Sequence, residues 1–185
     1  MIDLSLPVTP QMRKDAAGNE KRVSNGHLGT HFDVMDKVFP LDYTIRKGYI
    51  FEVSGEEIGL GDIDLSKAEE DMFIGFASGF ADRVPYGSKE YFQDHPVLTE
   101  ELIKELAKRK ISLIGIDFAG VRHGPQHPQY DQYCADRGIF IIENLCHMKE
   151  AAGACLVYTF PVNWEGMSGL PCRVCAEKGM EYEKR

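Results

Sequence analysis

Between residues 99 and 143 two helix-type patterns alternate with two short apolar runs, and this order restricts the fold more than any other feature of the sequence. Thr99, following Pro96, suits the cap of a helix over Glu100-Glu101-Leu102-Ile103-Lys104-Glu105-Leu106-Ala107-Lys108, where acids lead, bases close, and Leu102, Ile103 and Leu106 form an apolar stripe. Residues 111–116 then read as a buried strand ending at Asp117. Residues 131–137 read as a short helix closed by Gly138, after which Ile139-Phe140-Ile141-Ile142 runs into Glu143-Asn144. Helix, strand, helix, strand in that order predicts parallel pairing with right-handed crossovers. Strand-type runs at residues 2–6, 47–53, 72–76, 155–160 and 170–176, with an exposed polar loop at 15–21, complete the pattern. The expected fold class is α/β, one domain over residues 1–185 built on a central mixed sheet with two or three helices.

Composition bounds the partners. With 43% apolar and 27% charged residues the chain has the make-up of a globular protein rather than a disordered one. Its 29 acidic against 21 basic residues give a net charge of -8, and the one basic run, Lys108-Arg109-Lys110, closes a predicted helix, so nucleic acid is excluded as a partner. No apolar stretch reaches the roughly 18 residues of a membrane span, and Met1-Ile2-Asp3-Leu4-Ser5 does not begin a signal peptide. A soluble cytoplasmic protein is expected. Five cysteines without regular spacing form no disulfide framework, which fits a reducing compartment. Cys172-Arg173-Val174-Cys175 is a lone CxxC in a strand-type segment and reads as structural.

Chemistry is concentrated in His27-Leu28-Gly29-Thr30-His31-Phe32-Asp33. In an extended chain side chains repeat their direction every two residues, so His27, His31 and Asp33 would all emerge on one face. Gly29 and Thr30 disfavour the helical alternative. Two imidazoles and a carboxylate form a ligand set used by catalytic zinc and related ions, with positions left for water and substrate. The plainer alternative makes His27 and His31 polar strand residues and Asp33 a turn cap. Glu143, a carboxylate entering a buried sheet, should have a partner, and strand C-terminal ends give Glu143 and Asp117 a positional argument.

The same heptapeptide closely resembles the HxGTHxD signature of the metal-dependent cyclase family, which includes bacterial kynurenine formamidases and isatin hydrolases. Ile2-Asp3-Leu4-Ser5, Tyr91-Phe92-Gln93-Asp94-His95-Pro96-Val97-Leu98, Ile114-Gly115-Ile116-Asp117, Gly138 to Leu145 and Pro161 to Arg173 resemble further family blocks, in order. The resemblance implies a swivelling β/α/β-type fold, a homo-oligomer, and an arylformamidase-like hydrolase in which one or two divalent ions activate water against an amide, lactam or N-formyl carbon of a small-molecule substrate. It assigns His27, His31 and Asp33 to a first ion, lets Asp33 bridge to a second, and gives Glu143 to that second site.

Two departures follow. Where the family has a second-site His, this sequence has Asp131, a harder donor that favours manganese or magnesium beside the zinc or manganese expected at the first site. Otherwise the second site is empty, or His123 or His127 reaches in from the loop interrupted by Gly124-Pro125. Further, the family signature continues as HxGTHxDxPxH, and Met35 and Lys37 occupy the Pro and shuttle-His positions. Lys37 could stabilise an oxyanion, act as a base if its pKa were lowered, or face solvent. A related lyase or dehydratase, or a binding protein without turnover, are the alternative readings.

Overall fold

The structure, a computed structural model, describes residues 1–19 and 22–179. Its strands are β1 (Ile2–Asp3), β2 (His31–Asp33), β3 (Ile45–Glu52), β4 (Glu57–Ile58), β5 (Phe73–Ala77), β6 (Val97–Leu98), β7 (Leu113–Ile116), β8 (Phe140–Glu143), β9 (Gly153–Pro161) and β10 (Gly169–Lys178). Its helices are α1 (Pro10–Ala16), α2 (Phe80–Arg83), α3 (Lys89–Gln93), α4 (Glu100–Lys108) and α5 (Gln126–Ala135). The main sheet runs β1-β10-β2-β8-β7-β5-β3-β9, with β9 also paired to β10. Strands β3, β5, β7 and β8 are mutually parallel; β2, β9, β10 and β1 join antiparallel. The expected mixed α/β architecture is therefore present, though with five helices among the described residues where two or three were expected, and the stretch from α4 to β8 supplies two of its parallel strands.

Strands β5, β7 and β8 are buried on both faces, which explains their apolar runs. Phe73, Leu113, Phe140 and Ile142 join one core cluster with Phe32, Val157 and Val174, while Ile74, Phe76, Ile114, Ile116 and Ile141 join another with Leu102, Ile103 and Leu106 of α4. Thr99 caps α4 by accepting from the Leu102 amide, as its sequence indicates. Among the described residues no helix is long and apolar enough to cross a membrane.

Three local expectations are corrected. The loop expected at residues 15–21 begins inside α1, whose Thr9 cap and Pro10 at the first helical position fit a helix start, and Ala16 is buried; residues 20 and 21 lie outside the described residues. The helix expected from residue 131 begins at Gln126, because Pro128 sits in the first turn, where its missing N–H forfeits no intrahelical bond. The segment from His27 to Asp33 is not one strand: only His31–Asp33 pairs, and Gly26 (φ +82°) and Gly29 (φ +72°) bend the chain before it. The CxxC lies in β10 as expected, all five cysteines are free thiols, and burial pushes Cys172 up.

Candidate metal centre

Strand register assembles the site. In the antiparallel pair of β2 and β8, His31 lies opposite Glu143 and Asp33 opposite Ile141, while Phe32 faces the other way into the core. His31, Asp33 and Glu143 therefore share one face at the end of β8, where Asn144 (φ +58°) turns the chain away. Helix α5 adds His127 and Asp131, four residues apart and so on one helical face.

His27 arrives by a different route. A Cβ on Gly26 would lie 2.0 Å from the Gly169 carbonyl oxygen, and one on Gly169 would lie 2.8 Å from His27 Cδ2, so the bend packs directly on the start of β10. Two glycines there let the imidazole reach the cluster. His27 Nε2 is 2.9 Å from Ser168 Oγ, which leaves Nδ1 facing Asp33 Oδ1 at 3.1 Å. His31 is held from behind: its Nδ1 donates to the Gly29 carbonyl at 2.8 Å, and Asn144 Nδ2 donates to the same oxygen at 3.0 Å. Tyr91 in turn donates to Asn144 Oδ1.

The free ring nitrogens, His27 Nδ1 and His31 Nε2, then face each other at 3.1 Å, with Asp33 Oδ1 3.6 Å from His31 Nε2. Two lone pairs aimed at each other repel unless a proton or a cation lies between them. Donors on a tetrahedral zinc ion stand roughly 3.4 Å apart, so the three separations fit a shared ion. A second group comprises Asp33, His127, Asp131 and Glu143, with ligand atoms from all four within 4.8 Å of one another. His127 Nε2 lies 2.8 Å from Glu143 Oε1 and 3.3 Å from Asp131 Oδ2. Asp33 Oδ2 and Asp131 Oδ1 are buried with no hydrogen-bond partner, a costly state for carboxylate oxygens that an ion would relieve. Asp33 belongs to both groups.

Three carboxylates so close must be compensated. Burial opposes protonation of His31, but the Asp33 and Glu143 charges override it and push the imidazole up to about 9. At His127 burial is again overridden, chiefly by Glu143, and the value rises to about 10. Burial and the neighbouring Asp33 charge hold the Asp131 carboxyl well above the usual carboxylate range, whereas Asp33 stays well below it, its own burial overcome by His31 and His27. The metal-free cluster therefore carries protons where a cation would sit.

Of the residues singled out in the sequence, His27, His31, Asp33, Asp131 and Glu143 come together. Lys37 does not join them. β2 ends at Asp33, the Val34 and Met35 amides both donate to the Ser168 carbonyl, and Met35 has φ +56°, so the two-residue alternation stops before position 37. Lys37 Nζ pairs instead with Asp136 at 2.8 Å and Asp36 at 2.9 Å, and these partners hold its ammonium above its ordinary value. Asp117 is occupied structurally, accepting from the Ser78 amide and hydroxyl and the Gly79 amide. His123 pairs with the His95 carbonyl. His127, one of several options for the second site in the sequence, does join the cluster, and its four-residue spacing from Asp131 is the signal for it. Gly120 (φ +130°) makes room for it, since a Cβ there would lie 2.8 Å from His127 Cε1.

The cluster forms the floor of a cavity of about 450 Å³, also lined by Arg22, Asn25, Met35, Phe92, Asn144 and Ser168, a size suited to a small molecule.

The sequence pattern of the family called "Putative cyclase" matches residues 2–123. No curated protein matches the sequence. Among solved structures, similarity extends to a potential metal-dependent hydrolase with cyclase activity (22% identity, TM-score 0.70, covering 93% of this chain and 94% of the other). A predicted metal-dependent hydrolase from Bacillus stearothermophilus is similar at 19% identity, TM-score 0.72, over 93% and 95% of the two chains. Isatin hydrolase A from Labrenzia aggregata is similar at 18% identity, TM-score 0.68, over 80% and 72%. At these identities the likeness shows the fold.

Proposed function

The chain belongs to the cyclase family, and on that footing we propose that it is a metal-dependent hydrolase acting on the C–N bond of an amide, N-formyl or cyclic amide substrate. The observation that carries this reading is the convergence of His27 Nδ1, His31 Nε2 and Asp33 Oδ1 beside two unpartnered buried carboxylate oxygens on a cavity floor. The similarity to an isatin hydrolase supports the cyclic-amide class.

In this reading His27, His31 and Asp33 hold one divalent ion, and Asp33, His127, Asp131 and Glu143 hold a second. Such ions polarise a carbonyl and lower the pKa of water. The His₂Asp group suits zinc; three carboxylates with one imidazole make a harder set that suits manganese or magnesium. Ser168 and the Gly29 carbonyl fix which nitrogen each first-group imidazole presents, and Asp33 keeps the two groups in register. His127 restores the imidazole that Asp131 displaces, one helical turn earlier.

The test is metal analysis of the purified protein together with turnover of N-formyl, lactam and ester probes. Near-stoichiometric divalent ion and metal-dependent release of amine from a C–N probe are expected. Stable metal binding with no turnover across the panel would replace the hydrolase by a binding protein. Lys37→Met is the control: held between Asp36 and Asp136, Lys37 should be dispensable, and kcat/KM should stay within about twofold.

A pH dependence follows from the protonated cluster. His31 and His127, raised to about 9 and 10 against about 6.5 in an unfolded chain, stabilise the metal-free fold fully below pH 6.5 and lose that contribution as pH rises through 9 to 10. Each ion must displace at least one of these protons, so apparent affinity should rise roughly tenfold per pH unit between pH 6.5 and 9. Titration calorimetry in buffers of different ionisation enthalpy reads the protons released. Affinity independent of pH over that range would contradict the assigned ligands.

A further inference from the structure

One wall of the cavity carries a cationic side chain that stands outside the ligand cluster. Among the lining residues Arg22 is the one Arg or Lys, facing a site built on Asp33, Asp131 and Glu143 in a chain of net charge -8. Its Cζ lies 3.8 Å from the centroid of the Phe92 ring. Stacking on an aromatic face desolvates one side of a guanidinium and leaves its N–H edge available, the edge that matches a carboxylate with two parallel hydrogen bonds. No carboxylate of the described residues pairs with it.

The platform beneath Arg22 is fixed relative to the ligand cluster. Phe92 meets Tyr86 edge-on at 5.5 Å and Tyr91 at 5.4 Å. The Tyr86 hydroxyl accepts from the Gly29 amide at 3.1 Å, and Tyr91 reaches Asn144, which bonds the Gly29 carbonyl. Gly29 lies between His27 and His31. The guanidinium is thus tied through three ring contacts and three hydrogen bonds to the loop that carries His27 and His31. Asn25, also lining the cavity, is held through its carbonyl by the Gly169 amide and adds a polar group beside the wall.

We propose that Arg22 receives a carboxylate of the substrate, so that the protein selects amides bearing an acidic group at the end away from the scissile carbonyl. The inference rests on the hydrolase reading for its substrate, and on the cavity alone for its ligand class. A half-buried arginine on the cavity wall offers a carboxylate a bidentate partner apart from the ligand cluster, which orients such a molecule with its carbonyl end toward the cluster.

The experiment compares an N-formylaminobenzoate with the matched N-formylaminobenzamide on the metal-loaded protein. The acid should be preferred by about thirtyfold in kcat/KM, the range of one charge-assisted bidentate contact. Arg22→Gln should raise KM for the acid by about the same factor, leave kcat within about threefold, and leave the neutral amide unchanged; Arg22→Lys should restore part of the preference. No preference in the native protein, or an equal fall for both substrates in Arg22→Gln, overturns the assignment. If neither substrate is turned over, the hydrolase reading is decided by the wider panel of lactam and ester probes, and calorimetric binding of the same acid decides the Arg22 assignment. Binding lost in Arg22→Gln sustains it; binding equal in both proteins removes it.

Discussion

Asp33→Asn is expected to leave a folded chain that retains neither ion and hydrolyses substrate about a thousandfold more slowly than the native sequence. Asp33 is 3% exposed, and it is the one side chain common to both ligand groups. Its Oδ1 faces the two first-group imidazoles, and its unpartnered Oδ2 is buried. Asparagine keeps the shape and removes the charge, so both groups lose a negative donor at once. Losing both ions removes a Lewis-acid stabilisation of the transition state of several kcal/mol, and about 4 kcal/mol corresponds to the thousandfold stated. The metal-free variant should fold, because the attraction of Asp33 for His31 that is lost with the charge is offset by the loss of its repulsion of Asp131. What it should lose is the added melting temperature that metal is expected to confer on the native protein through binding the folded state. Metal content after dialysis, kcat/KM and melting curves with and without zinc or manganese read all three effects. Retention of one ion by Asp33→Asn would show that the two groups do not share this carboxylate.

The residues that were legible in the sequence are those whose position depends on strand alternation or on a short local motif. His31, Asp33 and Glu143 share a face because β2 and β8 are regular and antiparallel, and an apolar run ending in a carboxylate signals that end of a strand. Helix α4 was readable throughout, since its cap, charge order and apolar stripe agree. What escaped depends on interruptions of regular structure. His27 reaches the cluster through a bend at Gly26 and Gly29 rather than along a strand, a route set by packing against Gly169, which is 143 residues further on in the chain than Gly26. His127 was obscured by Gly124-Pro125, which read as a loop interruption, whereas α5 begins just after them at Gln126. Lys37 is separated from the site by the turn at Met35, and no periodicity announces that turn. Ser168 and Arg22 enter the cavity through tertiary packing alone.

Gly115→Ala should lower the melting temperature by about 6–12 °C, although residue 115 touches no ligand, because the sheet that aligns the cluster is packed around that glycine. A Cβ on Gly115 would lie 2.3 Å from Phe73 Cζ, 2.6 Å from Cε2 and 2.9 Å from Leu145 Cδ1. The same ring lies 2.9 Å from the place of a Cβ on Gly75 and 3.1 Å from that on Gly48. Gly48 of β3, Gly75 of β5 and Gly115 of β7 are on three adjacent parallel strands, with Gly48 opposite Phe73 and Gly75 opposite Gly115. Three missing side chains thus form the bed on which a fully buried phenylalanine lies. Glycine inside a strand is entropically costly, and close approach of another group is the reason it is kept. Phe73 cannot move aside, being enclosed by the cluster that also holds Leu113, Phe140 and Ile142. Overpacking of this kind costs about 3 kcal/mol, which for a chain of this length corresponds to the shift given. Gly115 is paired with Ile142, the residue before Glu143, so the displaced backbone should also weaken the second-site ion in the folded protein. Phe73→Leu placed in the Gly115→Ala background should recover part of the loss, since the smaller side chain vacates the space the methyl needs. Equal or additive losses in the double variant would show that the two residues do not compete for that space.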